Sequence, residues 1–139
     1  MPDRVEFVIG AEISALTDVL DRIGNLLRQH GLSGDLISDI ELAVDEAVTN
    51  SILHGYGGTE TGTITLIIQV HADRVDVEIE DQGVPFDPTA FKPVVHDGDI
   101  AERVPGGLGI VLIRNVMDTI TYRREKESNV LHLEKRIAP

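Results

Sequence analysis

Residues 37–53 read ISDIELAVDEAVTNSIL, and the apolar residues recur at the spacing of an amphipathic α-helix. At about 100° per residue, most of the polar residues gather on one side and the β-branched residues on the other. Glu46 and Asn50, one turn apart, instead fall among Leu42, Ala43 and Leu53. A carboxylate and an amide are costly to bury without partners. Two interpretations stay open: a functional pair, or a partly exposed flank where both groups are solvated or bonded to each other.

The segments around this helix predict a small α+β protein. Alternating residues indicate strands and helical spacing indicates helices, in the order βααββαββ. The predicted segments are a strand over 4–9, helices over 13–27 and 33–53, strands over 64–70 and 75–81, a helix over 108–117, and strands over 119–124 and 130–136. This order predicts a two-layer α+β sandwich, in which three helices cover one face of a mostly antiparallel, mixed sheet.

Asp81 stands out by its position in the strand over 75–81. The carboxylates at positions 76, 78 and 80 take the outward positions, whereas Asp81 falls on the inward side with the apolar residues. An inward carboxylate at a strand end can accept a hydrogen bond from an amino group such as that of adenine. Alternatively, the strand ends at Glu80, and Asp81 begins a turn with Gln82 and Gly83.

A glycine run, Gly106-Gly107-Leu108-Gly109, leads directly into the third helix. Backbone amides at the start of a helix, exposed by glycines, favour anions. The run is not a Walker loop, since no Lys-Ser/Thr follows, and its spacing differs from that of the dinucleotide fingerprint. A glycine-rich loop tip is the alternative interpretation.

Composition narrows the class of protein. The 139 residues carry a formal net charge of −12 and include no cysteine. The charge argues against nucleic acid as a partner, because phosphate binding needs a basic surface. No stretch approaches the ~20 apolar residues of a membrane span, and the start does not resemble a signal peptide. We therefore expect one domain over residues 1–139, located in the cytoplasm.

The three motifs, in this order, resemble those of the ATP-binding domain shared by gyrase, MutL and sensor histidine kinases, the GHKL or Bergerat fold. Residues 46–50, extended to His54, resemble its N box; residues 81–88 resemble its first glycine box, and residues 106–110 its second. The resemblance covers nearly the whole chain and implies the same two-layer fold.

Within that superfamily, the chain is most similar to the anti-sigma-factor serine kinases. Residues 42–50 and the sequence Phe86-Asp87-Pro88 are typical of that branch. A sensor histidine kinase would also need a phosphoacceptor and dimerisation domain, for which 139 residues leave no room. We therefore expect the minimal ATP-binding module alone.

The resemblance implies ATP and magnesium as ligands and assigns each motif a role. Asn50 would coordinate magnesium between the phosphates. Asp81 would bind the adenine amino group, with Gly83 letting the base approach the backbone. Glu46 would be the general base that removes the proton from a target serine. Gly107 and Gly109 would expose backbone amides to the phosphates, and Gly106 and Leu108 would belong to the same nucleotide-binding run. Arg103 would lie in the ATP lid, where it would either meet phosphate or stay solvated.

Two segments depart from the family pattern. Pro85 stands where a second glycine is frequent, which predicts a stiffer loop after Asp81. Ser128-Asn129-Val130 replaces a Gly-Thr-Thr that is often seen before the last strand, where a threonine helps to hold adenine. The details of base recognition therefore stay open.

The resemblance implies an anti-sigma factor with serine-protein kinase activity in a partner-switching pathway. The chain would phosphorylate a small anti-anti-sigma protein, the antagonist, and would otherwise hold a sigma factor. Val8 and Ile67 fall on the outer face of their strands and, with the resemblance, predict a homodimer. Two alternatives remain: a non-catalytic ATP-binding module that sequesters a regulatory partner, and an interaction domain with a vestigial nucleotide site.

Overall fold

The computed structural model describes residues 3–59, 61–90 and 107–137. Along these ranges the elements follow the expected order βααββαββ. They are β1 (Asp3–Gly10), α1 (Ile13–Gln29), α2 (Gly34–Asn50), β2 (Thr63–Val70), β3 (Arg74–Asp81), α3 (Gly107–Val116), β4 (Thr119–Glu125) and β5 (Ser128–Arg136). Within those ranges, no helix combines the length and the apolar character needed to cross a membrane.

The five described strands form one sheet in the order β1-β2-β3-β5-β4. Each neighbouring pair is antiparallel. The fold class is therefore confirmed as an α+β two-layer sandwich. The described part of the sheet contains no parallel pair, although we expected a mixed sheet.

The core lies between the inner face of the sheet and the apolar sides of the helices. Alternate residues of β2 and β3 are buried, and so are residues at helical spacing in α1 and α2. Fully buried members of this core include Ile23, Leu27, Ile40, Val44, Ile64, Leu66, Ile68, Val75 and Val77. Burial of each such side chain stabilises the fold by about 1.5–3 kcal/mol, so the core fixes the sheet register and helix orientation.

The start of α2 is set by a side-chain cap. Leu36 N donates a hydrogen bond to Ser33 Oγ at 3.3 Å, which satisfies one of the free amide groups of the first turn. The other end of the helix widens into a π-helical turn, Ser51–Gly55. This turn carries the chain toward the end of β3, where Val84 N donates to Gly55 O at 2.8 Å. The C-terminal end of α2 and the loop after β3 are thereby joined.

Candidate functional site

Glu46 and Asn50 lie on the side of α2 that faces the start of α3. Gly109 occupies the first turn of α3, and a β-carbon at that position would come within 3.0 Å of Glu46 Oε2 and 3.4 Å of Asn50 Nδ2. The side-chain ends of Glu46 and Asn50 can lie this close to α3 because residue 109 has no side chain. The structure therefore brings together residues of two of the predicted motifs.

Asn50 carries a buried hydrogen-bond donor that has no partner in the described ranges. It is only 7% exposed, and its Nδ2 atom is buried with no hydrogen-bond partner among the described residues. Leaving a buried donor unpaired costs about 1–3 kcal/mol, so a polar group that accepts a hydrogen bond here would be bound favourably. Rotation of the amide exchanges its nitrogen and oxygen, and the position can thus offer a donor to a phosphate or an acceptor to a cation.

Glu46 is half-buried, and its environment favours the protonated form. Burial, followed by the negative charge of Asp45, raises the pKa of the Glu46 carboxyl above its ordinary value. A higher pKa makes the carboxylate a stronger base than an exposed glutamate. The side chain is therefore suited to accepting a proton.

Asp81 ends β3 on the inner face of the sheet and is 4% exposed. The inward position that the strand alternation indicated is thus correct. Its Oδ1 accepts hydrogen bonds from Gly83 N at 2.9 Å and from Asn129 Nδ2 at 2.8 Å. Among the described residues, none donates a hydrogen bond to the second carboxylate oxygen, Oδ2. That oxygen is available to a ligand.

Gly83 permits a close approach between two backbone segments. A β-carbon at position 83 would lie 2.2 Å from Gly55 O, a distance that no side chain tolerates. A β-carbon at Gly55 would in turn lie 3.1 Å from Asp81 Oδ1. The two glycines therefore hold the π-helical turn of α2 against the Asp81 carboxylate.

A small cavity of about 20 Å³ joins Asn50 to Asp81 and is also lined by Phe86, Tyr122 and Asn129. Such a cavity has room for about one water molecule. The ring of Phe86 stacks on His54, with ring centroids 4.8 Å apart and an interplanar angle of 16°. A purine base would therefore need the Phe86 ring to move aside.

The other predicted site residues are placed less completely. Gly107 and Leu108 begin α3. They immediately precede Gly109, the glycine that lies beside Glu46. Arg103 and Gly106 lie outside the described residues. The roles assigned to all these side chains stay predictions.

Asn129, Tyr122 and Gly55 belong to the site although we did not select them from the sequence. The sequence did draw attention to Asn129, because Ser128-Asn129-Val130 departs from the family pattern. Nothing in the sequence pointed to Tyr122 or Gly55, since each reaches the site only through contacts that form in the folded structure.

A second cluster of ionisable residues lies on the helix-free face of the sheet. Potential ligand atoms of Asp76, His132 and Glu134 lie within 4.8 Å of one another. Asp76, however, already interacts with His71 Nε2 at 2.9 Å and accepts a hydrogen bond from Arg74 Nε at 3.2 Å. Because the Arg74 guanidinium repels a cation at this position, we assign no metal to the cluster.

Comparison with known proteins places the chain among nucleotide-binding domains. The family described as histidine kinase-like ATPase domain matches residues 9–135. The serine-protein kinase RsbW of Listeria monocytogenes is 33% identical over 124 residues, covering 86% of this chain and 74% of the relative. The RsbW kinase of Staphylococcus epidermidis is 34% identical over 128 residues, covering 88% of this chain and 80% of the relative.

Solved structures share the fold at lower identity. The RsbU and RsbW domains of a Mycobacterium tuberculosis protein match with a TM-score of 0.70 at 18% identity, covering 97% of this chain and 32% of that one. The SiaB–SiaC complex of Pseudomonas aeruginosa matches with a TM-score of 0.61 at 15% identity, covering 96% and 89%. At these identities the structural matches support the fold alone.

Proposed function

Because the chain belongs to the histidine kinase-like ATPase domain family, we propose that it is an ATP-dependent protein serine kinase of the anti-sigma type. Its serine-protein kinase relatives are more than 30% identical over most of their length. ATP is the substrate that the family implies. The proposed site for it extends from Asp81, at the end of β3, to the contact between Glu46 and Gly109.

The observation that carries the proposal is the buried amide nitrogen of Asn50, which has no hydrogen-bond partner in the described part of the chain. It borders the cavity that leads to Asp81, and it lies beside Glu46 and Gly109. Adenine at Asp81 would therefore direct the phosphates toward Asn50 and the start of α3. Backbone amides at a helix start favour such an anion.

A magnesium ion fits the residues present. Magnesium prefers oxygen ligands and usually takes only one or two from the protein, keeping several waters and binding the phosphates. The Asn50 amide oxygen offers one such ligand once the amide is turned. When bound, the ion would neutralise charge on the phosphates.

Glu46 is the proposed general base. It would take the proton from the hydroxyl of a target serine, whose oxygen would then bond to the γ-phosphorus of ATP as ADP leaves. A half-buried carboxylate with a raised pKa holds this proton better than an exposed one. The positioning of the phosphates and the charge neutralisation supply most of the remaining catalysis.

The proposed substrate is a small anti-anti-sigma antagonist, and the proposed second partner is a sigma factor. The net charge of −12 suits a partner with a basic surface. The kinase would release the antagonist once that protein is phosphorylated and would then hold the sigma factor. We further propose that the protein acts as a homodimer through the outer side of β1 and β2.

The test measures transfer of radiolabelled γ-phosphate to a candidate antagonist. Glu46→Gln should lower the rate by roughly 10²–10⁴, the usual contribution of a general base, while ATP binds within a few-fold of wild type. Glu41→Gln, on another side of α2, is the matched control and should phosphorylate normally. A wild-type rate in Glu46→Gln would contradict the mechanism. Binding of ATP and partner without any transfer by the wild-type protein would instead favour a non-catalytic sequestering module.

A further inference from the structure

Asn129 is the residue that connects Asp81 to the rest of the sheet. It lies directly opposite Asp81 in the β3–β5 ladder and is 5% exposed. Its Nδ2 donates to Asp81 Oδ1 at 2.8 Å and to Val84 O at 2.8 Å. Its Oδ1 accepts from Tyr122 OH at 2.5 Å and from Phe86 N at 3.2 Å.

These four hydrogen bonds use the full capacity of the Asn129 amide, which has two donor hydrogens and two acceptor lone pairs. They also fix its orientation. Turning the amide over would place its NH₂ group against the donor Phe86 N–H. It would also place its oxygen against the acceptor Asp81 Oδ1. Both contacts would then be repulsive. Asn129 is therefore not free to bond a base, and any effect it has on base recognition passes through Asp81.

The consequence for Asp81 is an asymmetric carboxylate. Oδ1 receives two hydrogen bonds, from Gly83 and Asn129, whereas Oδ2 receives none from the described residues. Oδ2 is left as an acceptor on a residue that lines the cavity. An acceptor at this point suits a purine with an amino group at position 6 and opposes one with a carbonyl there.

We propose that Asn129, held by Tyr122, is a positioning residue that sets the preference for a 6-amino purine by fixing Asp81 with only Oδ2 available. This inference rests on the proposed function, since it needs the base to bind at Asp81. It also differs from what the family resemblance implies, in which a threonine of this segment helps to hold adenine. A threonine has one hydroxyl donor and could not bond both Asp81 and Val84.

The test is the ratio of dissociation constants for inosine triphosphate and ATP, both with magnesium, measured by calorimetry. Inosine triphosphate differs from ATP by a carbonyl in place of the 6-amino group. The wild-type protein should prefer ATP by at least about tenfold, as expected for a hydrogen bond to a charged group. Asn129→Asp removes the donor that faces Asp81 and should bring the ratio close to 1.

Three further variants separate positioning from a loss of folding. Tyr122→Phe deletes only one hydroxyl and should lower the ratio by several-fold. Asn129→Thr restores one donor and should recover part of the preference that Asn129→Asp loses. Arg124→Gln is the control. Arg124 Nη1 donates to Gly83 O at 2.8 Å and so supports the same loop. Arg124 is paired with Asn129 in the β4–β5 ladder, but its side chain makes no hydrogen bond to Asp81 or Asn129 among the described residues. This variant should change both affinities equally and leave the ratio unaltered.

The outcomes distinguish this inference from the proposed function. If Tyr122→Phe and the Asn129 variants keep the wild-type ratio and only melt at lower temperature, the two residues are structural and the inference is wrong. Equal wild-type affinity for the two nucleotides would also overturn it, while ATP binding would stand. If the wild-type protein binds neither nucleotide, the proposed function fails and the inference fails with it.

Discussion

Gly109 approaches Glu46 so closely that a β-carbon at position 109 would lie 3.0 Å from the Oε2 atom of that carboxylate. The nearest neighbours of this position are polar side-chain atoms of the candidate site, those of Glu46 and Asn50, and not atoms of the apolar core. The space beside Gly109 is therefore part of the site. A side chain that fills this space should weaken ligand binding more than it lowers the stability of the fold.

Gly109→Ala should weaken ATP binding by tenfold or more without lowering the melting temperature. Alanine favours helix over glycine by about 1 kcal/mol, which offsets the cost of a small shift of the Glu46 side chain. Calorimetry with magnesium-ATP and a thermal melt would measure the two effects. Gly24→Ala is the control, since Gly24 lies within α1, away from the site. A large loss of stability in Gly109→Ala would show that Gly109 serves packing instead.

Asn50→Ala should abolish magnesium-dependent ATP binding while leaving the fold intact. The amide is the proposed protein ligand to the metal, and magnesium has few others. The amide nitrogen has no hydrogen-bond partner among the residues that the structure describes, so its removal should cost little stability. Titration with ATP, with and without magnesium, and circular dichroism would test both statements. Unchanged ATP affinity would contradict the site assignment.

Asp81→Asn should weaken ATP by about 1–3 kcal/mol, the range for a hydrogen bond to a charged group. The discrimination against GTP, whose carbonyl opposes a carboxylate, should also decrease. Competition binding with the two nucleotides provides the measurement. If the wild-type protein already binds GTP as well as ATP, Asp81 does not recognise adenine.

The raised pKa of Glu46 predicts two pH effects with opposite signs. Phosphoryl transfer needs the ionised carboxylate, so the rate should fall as the pH is lowered through the raised pKa, at a higher pH than for an ordinary glutamate. Stability behaves inversely. The protonated form fits the folded state best, and this stabilisation is present below the unfolded-state pKa and is lost as the pH rises through the folded-state pKa.

Glu46→Gln should therefore melt at a higher temperature than wild type near neutral pH, and the difference should shrink toward pH 4. Thermal melts of both proteins across that range provide the measurement. Glu41→Gln is the reference for a helix glutamate away from the site. An unchanged difference at all pH values would mean that Glu46 is as well solvated in the folded state as in the unfolded chain.

The proposed homodimer depends on the outer side of the first two strands. Val8 is 61% exposed and faces Thr65 across the ladder, with Ile67 two residues further along β2. The wild-type protein should sediment as a dimer at micromolar concentration, and Val8→Asp should sediment as a monomer. Ile13→Asp, which changes an exposed apolar residue of α1, should stay dimeric. A monomeric wild-type protein would refute the proposal.

The sequence predicted the features of the fold that depend on local periodicity. The alternation along β3 placed Asp81 on the inner face, and the helical spacing of α2 placed Glu46 and Asn50 together. Both patterns arise within one element and can be read from neighbouring residues.

The remaining features depend on contacts between distant residues. Asn129 meets Asp81 across 48 positions of sequence, and that contact requires the β3–β5 register. The approach of Gly55 to Gly83 requires the π-helical turn after Asn50, which replaces the regular α-helical geometry that the spacing predicted. Tyr122 fits the ordinary alternation of inward and outward residues along β4, and only the folded sheet shows where its hydroxyl lies. Such relationships have no short-range signature.

The turn between β4 and β5 also affects the chemistry of the site. Glu125 pairs with Ser128, which leaves two residues in the turn, and Lys126 adopts the left-handed conformation with φ of 58°. A hairpin of fixed length sets which residues face each other, and a slip of one position turns every side chain to the opposite face. An insertion of one residue in this turn would therefore shift β4 against β5 and move the Tyr122 hydroxyl away from Asn129. We infer that mutations changing the length of this surface turn would alter nucleotide choice more than substitutions that change its composition.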